Sequence, residues 1–251
     1  MKKVLLLAAV ACAALAANAQ ALQTLKPEMG FVKANPFTTT VAKAPAQKVD
    51  LKDNQVIVGL YNTDDIDEYG LGLGSNVSLM IASEISSDCF AGMNDLKIDA
   101  VRFGLTEAAT VESVNVYATD AAGNMTVLVE GAPVAGKKGV VGWNTVELAE
   151  PVAVPVDAEG LIVGYDITLT AQGYPIGVYA GADQCSFYGY GDLGQGEGWY
   201  SFGDQYGTPA IQLICECAPA QGYSVKGSKY ETGTVAMGQT FEPTFTVMST
   251  S

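Results

Sequence analysis

From Gln55 to Cys217 no window of ten or more residues sets its apolar side chains at helical spacing. Short runs rich in β-branched and aromatic residues recur instead, separated by turn signals. The alternation is clearest in Ser113-Val114-Asn115-Val116-Tyr117-Ala118, where Val114, Val116 and Ala118 share one face and Ser113, Asn115 and Tyr117 the other. The pattern predicts strands at Val56 to Tyr61, Asn76 to Ser83, Leu96 to Leu105, Ser113 to Thr119, Met125 to Glu130, Asn144 to Leu148 and Leu161 to Thr170. Three more are predicted at Ile176 to Tyr179, Ser186 to Tyr190 and Ala210 to Cys217. Only Ser83 to Leu96 admits a helical turn. Asp120-Ala121-Ala122-Gly123-Asn124 tolerates a tight reversal, so the strands flanking it should form a hairpin. Strands this numerous cover their apolar faces economically as two packed antiparallel sheets, and the expectation for residues 55–217 is an all-β, jelly-roll-like sandwich.

The segments outside that block read differently. Residues 1–19 join Lys2 and Lys3 to an apolar stretch and the small-residue site Ala17-Asn18-Ala19, the pattern of a secretory signal peptide cleaved after Ala19. A lipidated Cys12 is the rival reading, but apolar sequence continues past it where a lipoprotein turns polar. No later run reaches the roughly 18 apolar residues of a transmembrane helix. Residues 20–54, with Pro27, Pro36, Pro45 and five lysines, read as a flexible leader or linker, part of which can lie along the sandwich as an edge strand. Pro219 and Gly222 mark a further boundary, and residues 218–251 read as the start of a second, Ig-like β domain. Four cysteines follow the signal. Cys215 and Cys217 lie two apart and share a strand face, so they should not bond each other, although Cys185 can pair with either. A zinc site would need all four thiolates at spacings unlike any zinc knuckle.

Composition excludes several function classes. There is no histidine, which removes Ser-His-Asp and Cys-His nucleophilic pairs and imidazole-bound metals. Arg102 is the only arginine, so no cluster can clamp phosphate or sulfate. The formal charge is -14, and loss of residues 1–19 with their two lysines brings it to -16, eleven bases against 27 acids. Such a field repels nucleic acid.

Five runs occur in an order that carries a resemblance: YNTDDIDEYGLGLG (Tyr61 to Gly74), LKIDAVRFGL (Leu96 to Leu105), GWNTVEL (Gly142 to Leu148), LIVGYDIT (Leu161 to Thr168) and FYGYGDLGQGEGWYSFGDQYG (Phe187 to Gly207). Together they resemble the jelly-roll modules of exported Bacteroidetes surface proteins, related to the cleaved-adhesin modules of gingipain-type haemagglutinin regions. The resemblance spans Val56 to Glu216. It implies a lectin-like, non-catalytic module of a larger secreted or cell-surface protein, acting in adhesion or in glycan or host-protein recognition, often with Ig-like domains following. No catalytic residue set comes with it.

Two clusters are candidate sites. Asn62, Asp64, Asp65, Asp67 and Glu68 crowd oxygen ligands into a loop after a strand, and calcium takes six to eight such oxygens. Adhesin-type jelly rolls hold calcium, so the resemblance strengthens a structural ion at Asp64, Asp65, Asp67 and Glu68; a solvated acidic loop is the simpler reading. The second cluster is Tyr188, Tyr190, Asp192, Trp199, Tyr200 and Tyr206, set among glycines with Glu197 and Asp204. Ring faces beside carboxylates suit a sugar, and the competing explanation is ordinary core packing. In an extended strand Trp199 and Tyr200 point to opposite faces, so only one of them should meet a given ligand. Trp143 is expected to close the end of the sandwich, and Arg102 to reach an acidic partner at the surface. A carbohydrate-active enzyme using paired carboxylates needs no histidine, but nothing in the sequence marks a pair. A plain structural spacer presenting a neighbouring domain is the other alternative.

Overall fold

The computed structural model describes residues 32–33, 37–42, 44, 48–61, 63–180, 186–194, 196–202 and 206–218. Within them the strands are β1 (Val32–Lys33), β2 (Phe37–Thr40), β3 (Gln55–Val58), β4 (Ile66–Gly72), β5 (Val77–Ser86), β6 (Lys97–Leu105), β7 (Ala109–Thr119) and β8 (Met125–Pro133). They continue as β9 (Lys138–Gly139), β10 (Gly142–Ala153), β11 (Gly160–Leu169), β12 (Ile176–Tyr179), β13 (Tyr188–Asp192), β14 (Glu197–Ser201) and β15 (Ile211–Glu216). The first sheet runs β1-β14-β13-β5-β11-β7-β8, with β9 also on β7. The second runs β2-β4-β12-β6-β15-β3, with β10 on the other side of β6. Pairing is antiparallel except for β1 beside β14. From β4 onward most connections carry the chain from one sheet to the other, giving the sandwich expected from the strand pattern.

The core lies between the sheets. Ile81 and Ile85 of β5, Val101 and Phe103 of β6, Val114 and Val116 of β7, Val163 and Tyr165 of β11 and Leu213 of β15 are all sealed there. Each such side chain contributes about 1.5 to 3 kcal/mol on leaving water. The Asp120–Asn124 reversal forms as expected: β7 pairs with β8, Asp120 Oδ1 accepts from the N–H groups of Ala122 and Asn124, and Gly123 takes φ 78°. The one helical turn allowed between Ser83 and Leu96 is a 3₁₀ turn, Ser87–Cys89. Cys89, Cys215 and Cys217 are free thiols, and burial pushes the Cys215 thiol up to about 12. Cys185, the signal peptide, and the tail after Ala218 lie outside the described residues.

Two residues are placed differently from expectation. Arg102 does reach an acid, but not at the surface: it is 1% exposed on the outer face of the second sheet. Its Nη1 donates to Asp64 Oδ1 at 3.1 Å and to Gln212 Oε1 at 2.7 Å, and its guanidinium lies 4.5 Å from the Trp143 ring centroid. Trp143 therefore covers that outer face rather than the end of the sandwich, and its Nε1 donates to the Asp64 carbonyl at 2.9 Å. Gln212 Nε2 donates to the carbonyls of Tyr61 and Thr63. These bonds strap the segment from Tyr61 to Asp65 across the sheet, above Ile66, Tyr179 and Ala210, and Ala44 of the leader is buried in the same cluster. Period-two parity put Arg102 on the outer face correctly. The strap that buries it is a tertiary contact.

Losing one partner of a buried, hydrogen-bonded charge pair leaves the other uncompensated, at about 3 to 5 kcal/mol. Arg102→Ala should therefore lower the melting temperature by several degrees, measured by calorimetry, and a shift within error would show that the pair is not structural. Tyr165 offers the opposite expectation. It stacks on Phe103 at 4.5 Å between centroids, is fully buried, and its hydroxyl has no hydrogen-bond partner among the described residues. Because an unmade buried hydrogen bond destabilises by about 1 to 3 kcal/mol, Tyr165→Phe should melt at the wild-type temperature or above it.

Candidate functional site

The outer faces of the two sheets differ in kind. The strap closes that of the second, whereas the first carries an apolar plate where one wet face of an antiparallel sheet would ordinarily be polar. Register fixes the plate. Across β14, β13, β5, β11 and β7 one row reads Trp199, Tyr190, Met80, Asp166, Ser113. The next reads Ser201, Tyr188, Ala82, Gly164, Asn115, and a third, over β5, β11, β7 and β8, reads Glu84, Ile162, Tyr117, Val127. Neighbouring strands lie about 4.8 Å apart, so the rows form a continuous surface. Met80, Ala82, Met125, Ile162 and Trp199 are its buried floor, and the half-buried rings of Tyr117, Tyr188 and Tyr190 pack on it. Tyr190 meets Trp199 with centroids 5.3 Å apart and planes at 53°. Gly164 is required in the floor, since a Cβ there would stand 2.8 Å from Met80 Cγ and from the Ile81 carbonyl.

Carboxylates ring the plate. Asp166 Oδ2 accepts from Ser113 Oγ at 2.5 Å and from Asn115 Nδ2 at 2.8 Å, and Asn115 Oδ1 accepts from the Gly131 N–H. Gly131, at φ 63°, sits in a bulge of β8 beside Glu130. Burial, then Asp166 and Glu130, then Tyr190, push the Tyr117 hydroxyl up to about 12. Burial and the neighbouring Glu197 raise Tyr190, and burial alone raises Glu84. The plate is thus aromatic and electronegative.

Only part of the expected aromatic site assembles here. Trp199, Tyr188 and Tyr190 converge, on strands β13 and β14. Tyr200 points inward into the core, where its hydroxyl donates to the Gly196 carbonyl and accepts from the Leu193 N–H. Tyr206 packs half-buried against the same core. Asp192 caps the β13–β14 turn by accepting from the N–H groups of Gly194 and Gly196. Asp204 lies outside the described residues. Sequence reading missed Met80, Met125, Ile162 and Tyr117 as partners of Trp199, because four separate strands bring them together. The Tyr117 parity in Ser113 to Ala118 was the available signal.

The acidic run is likewise divided. The Asp64 carboxylate is bound to Arg102, and Asp65 receives the Thr63 hydroxyl as acceptor for its own N–H. Asp67 and Glu68 belong to β4 rather than to a loop, with Asp67 Oδ1 accepting from the Glu68 N–H at 2.6 Å. Leu71 turns into the core between the sheets and Ile66 is buried in the cluster with Trp143, and together they supply the burial that makes the acidic segment a strand. Asn62 is outside the described residues, among which no three acidic or sulfur side chains are grouped to hold a metal ion. A cleft of about 510 Å³ is lined mainly by Phe90, Met93, Leu96, Val154, Pro155 and Val156, none of which belongs to the plate.

No protein-family model, curated protein or solved structure matches this chain. The plate's chemistry therefore stands on its own geometry. A hydroxyl whose pKa is raised from 10.0 in the unfolded chain to about 12 in the fold favours folding while protonated, and that contribution fades as pH climbs through this interval. Tyrosinate absorbance followed to high pH should show Tyr117→Phe removing one late-titrating group, and an unchanged late phase would contradict the burial described.

Proposed function

We propose that the chain is a non-catalytic recognition module of an exported surface protein and that the plate on the first sheet binds a glycan. The observation that carries this reading is the row pattern itself: half-buried tyrosines over a sealed apolar floor, ringed by carboxylate and amide groups. Sugar rings present C–H faces to aromatic side chains and hydroxyls to acceptors, and a plate with both suits them. A sandwich with one outer face strapped shut and the other left aromatic is economical for a module that holds one ligand. The signal-peptide pattern and the resemblance to cleaved-adhesin modules support an exported location and a place within a larger protein.

The carboxylates favour binding over hydrolysis. The backbone positions of Glu84 and Asp166 lie one strand and four residues apart, about 14 Å, wider than the roughly 5 to 9.5 Å between the carboxyl groups of retaining and inverting glycosidases. An accessory surface needs no such pair.

A glycan array probed with the purified chain, followed by titration of each hit, tests the reading. Tyr188→Ala and Tyr190→Ala should weaken binding about tenfold or more, equivalent to about 1.4 kcal/mol each, with a smaller loss of stability than truncating the buried floor. Trp199→Ala is a poorer probe, since it removes floor packing and should destabilise by about 3 to 5 kcal/mol. Silence across the array would favour a structural spacer, and binding unaffected by both tyrosine variants would move the site elsewhere.

A further inference from the structure

Resting on the glycan reading, we propose that the sugar taken by this plate carries a free, protonated amine. The Glu84 carboxylate is half-buried on β5, diagonally beside Tyr188 and in the row of Ile162 and Tyr117, and among the described residues it accepts no hydrogen bond and forms no ion pair. Asp166, at the far corner, uses only Oδ2 for Ser113 and Asn115, which leaves Oδ1 open to a donor. Glu130 and Glu197 add two further exposed acids near Tyr117 and Tyr190. Between β14 and β8 none of the residues in the three rows is a lysine or an arginine; Lys33 of β1 continues the second row beyond Ser201, three strands from β5.

Three kinds of sugar meet this surface differently. A uronate, sulfate or sialate would bring negative charge to four carboxylates, and the one lysine in register with the rows, Lys33, stands on β1, three strands away from Glu84. A neutral sugar would stack on the rings but would take water from Glu84 without giving it a counter-charge, which is unfavourable. An ammonium group gives Glu84 and Asp166 charge-assisted hydrogen bonds and lies against electron-rich ring faces. The two acids stand about 14 Å apart, so a linear chain of amino sugars can reach both, whereas a single unit reaches one.

Burial raises the Glu84 pKa above 4.5, so the charged form is disfavoured by the fold, and the stabilising contribution of its protonated form is lost as pH rises. Glu84→Gln should accordingly fold at neutral pH as well as the wild type or better, which makes it a clean probe. The experiment is calorimetric titration of the whole chain with three β-1,4 oligomers of equal length: fully deacetylated glucosamine, N-acetylglucosamine and glucose, in low-salt buffer at a pH where amine and carboxylates are charged. The deacetylated oligomer should bind at least tenfold more tightly than the two neutral ones, with an advantage that shrinks as salt is added. Glu84→Gln should reduce that advantage, and Glu84→Gln with Asp166→Asn should abolish it while leaving neutral-sugar binding in place. Equal affinity for all three oligomers, or an advantage that survives both substitutions, overturns the proposal and leaves the glycan reading standing. No binding of any oligomer, together with a silent array, overturns the glycan reading and the amine with it, as does binding of a lysine-rich peptide in place of every sugar.

Discussion

A guanidinium withdrawn from water on the outside of a sheet organises one half of this molecule. Desolvating such an ion costs several kcal/mol, and the fold offsets that by giving Arg102 the Asp64 carboxylate, the Gln212 amide and the face of Trp143. Two of those partners, Gln212 and Trp143, also hold Tyr61, Thr63 and Asp64 against the second sheet through backbone carbonyls. With Trp143 and Tyr179 buried beneath, that part of the face is closed. An arginine rather than a lysine suits the position, because its planar fork serves two acceptors while its flat side stacks on an indole.

The first sheet lacks any such strap among the described residues, and its outer face is built on a different principle. There, among the described residues, the apolar floor is covered by its own tyrosines. Tyrosine can do this because the ring packs while the hydroxyl stays near water. At the margin the half-buried Glu84 carboxylate has its charged form disfavoured by burial, and among the described residues it accepts no hydrogen bond that would offset this.

Much of the fold is legible in the sequence because burial in a two-sheet sandwich follows period two. The windows from Leu96 to Leu105 and Ile176 to Tyr179 coincide with β6 and β12 to within a residue. β4 is hidden by Asp67 and Glu68, whose charges mask the buried Ile66, Gly70 and Leu71. β14 is hidden by the glycines around Trp199 and Tyr200, although their opposite parity is sound: one faces the plate and the other the core. The site is less legible than the fold. Tyr188, Tyr190 and Trp199 sit in one hairpin and can be found together, whereas Met80, Tyr117 and Ile162 meet them only through a strand order that no local pattern encodes. The Arg102 partners are hidden for the same reason, with Asp64 and Gln212 lying 38 and 110 residues away.

The contrast between the two outer faces is the central claim, and hydroxyl-radical footprinting read by mass spectrometry measures it directly in the ligand-free protein. Tyr117, Tyr188 and Tyr190 should be oxidised readily under native conditions, while Trp143 and Tyr179 should stay protected until the sandwich unfolds. Equal protection of both sets would mean that the first sheet is covered as well, and equal reactivity would mean that the Arg102 strap does not close the second; either result would contradict the account.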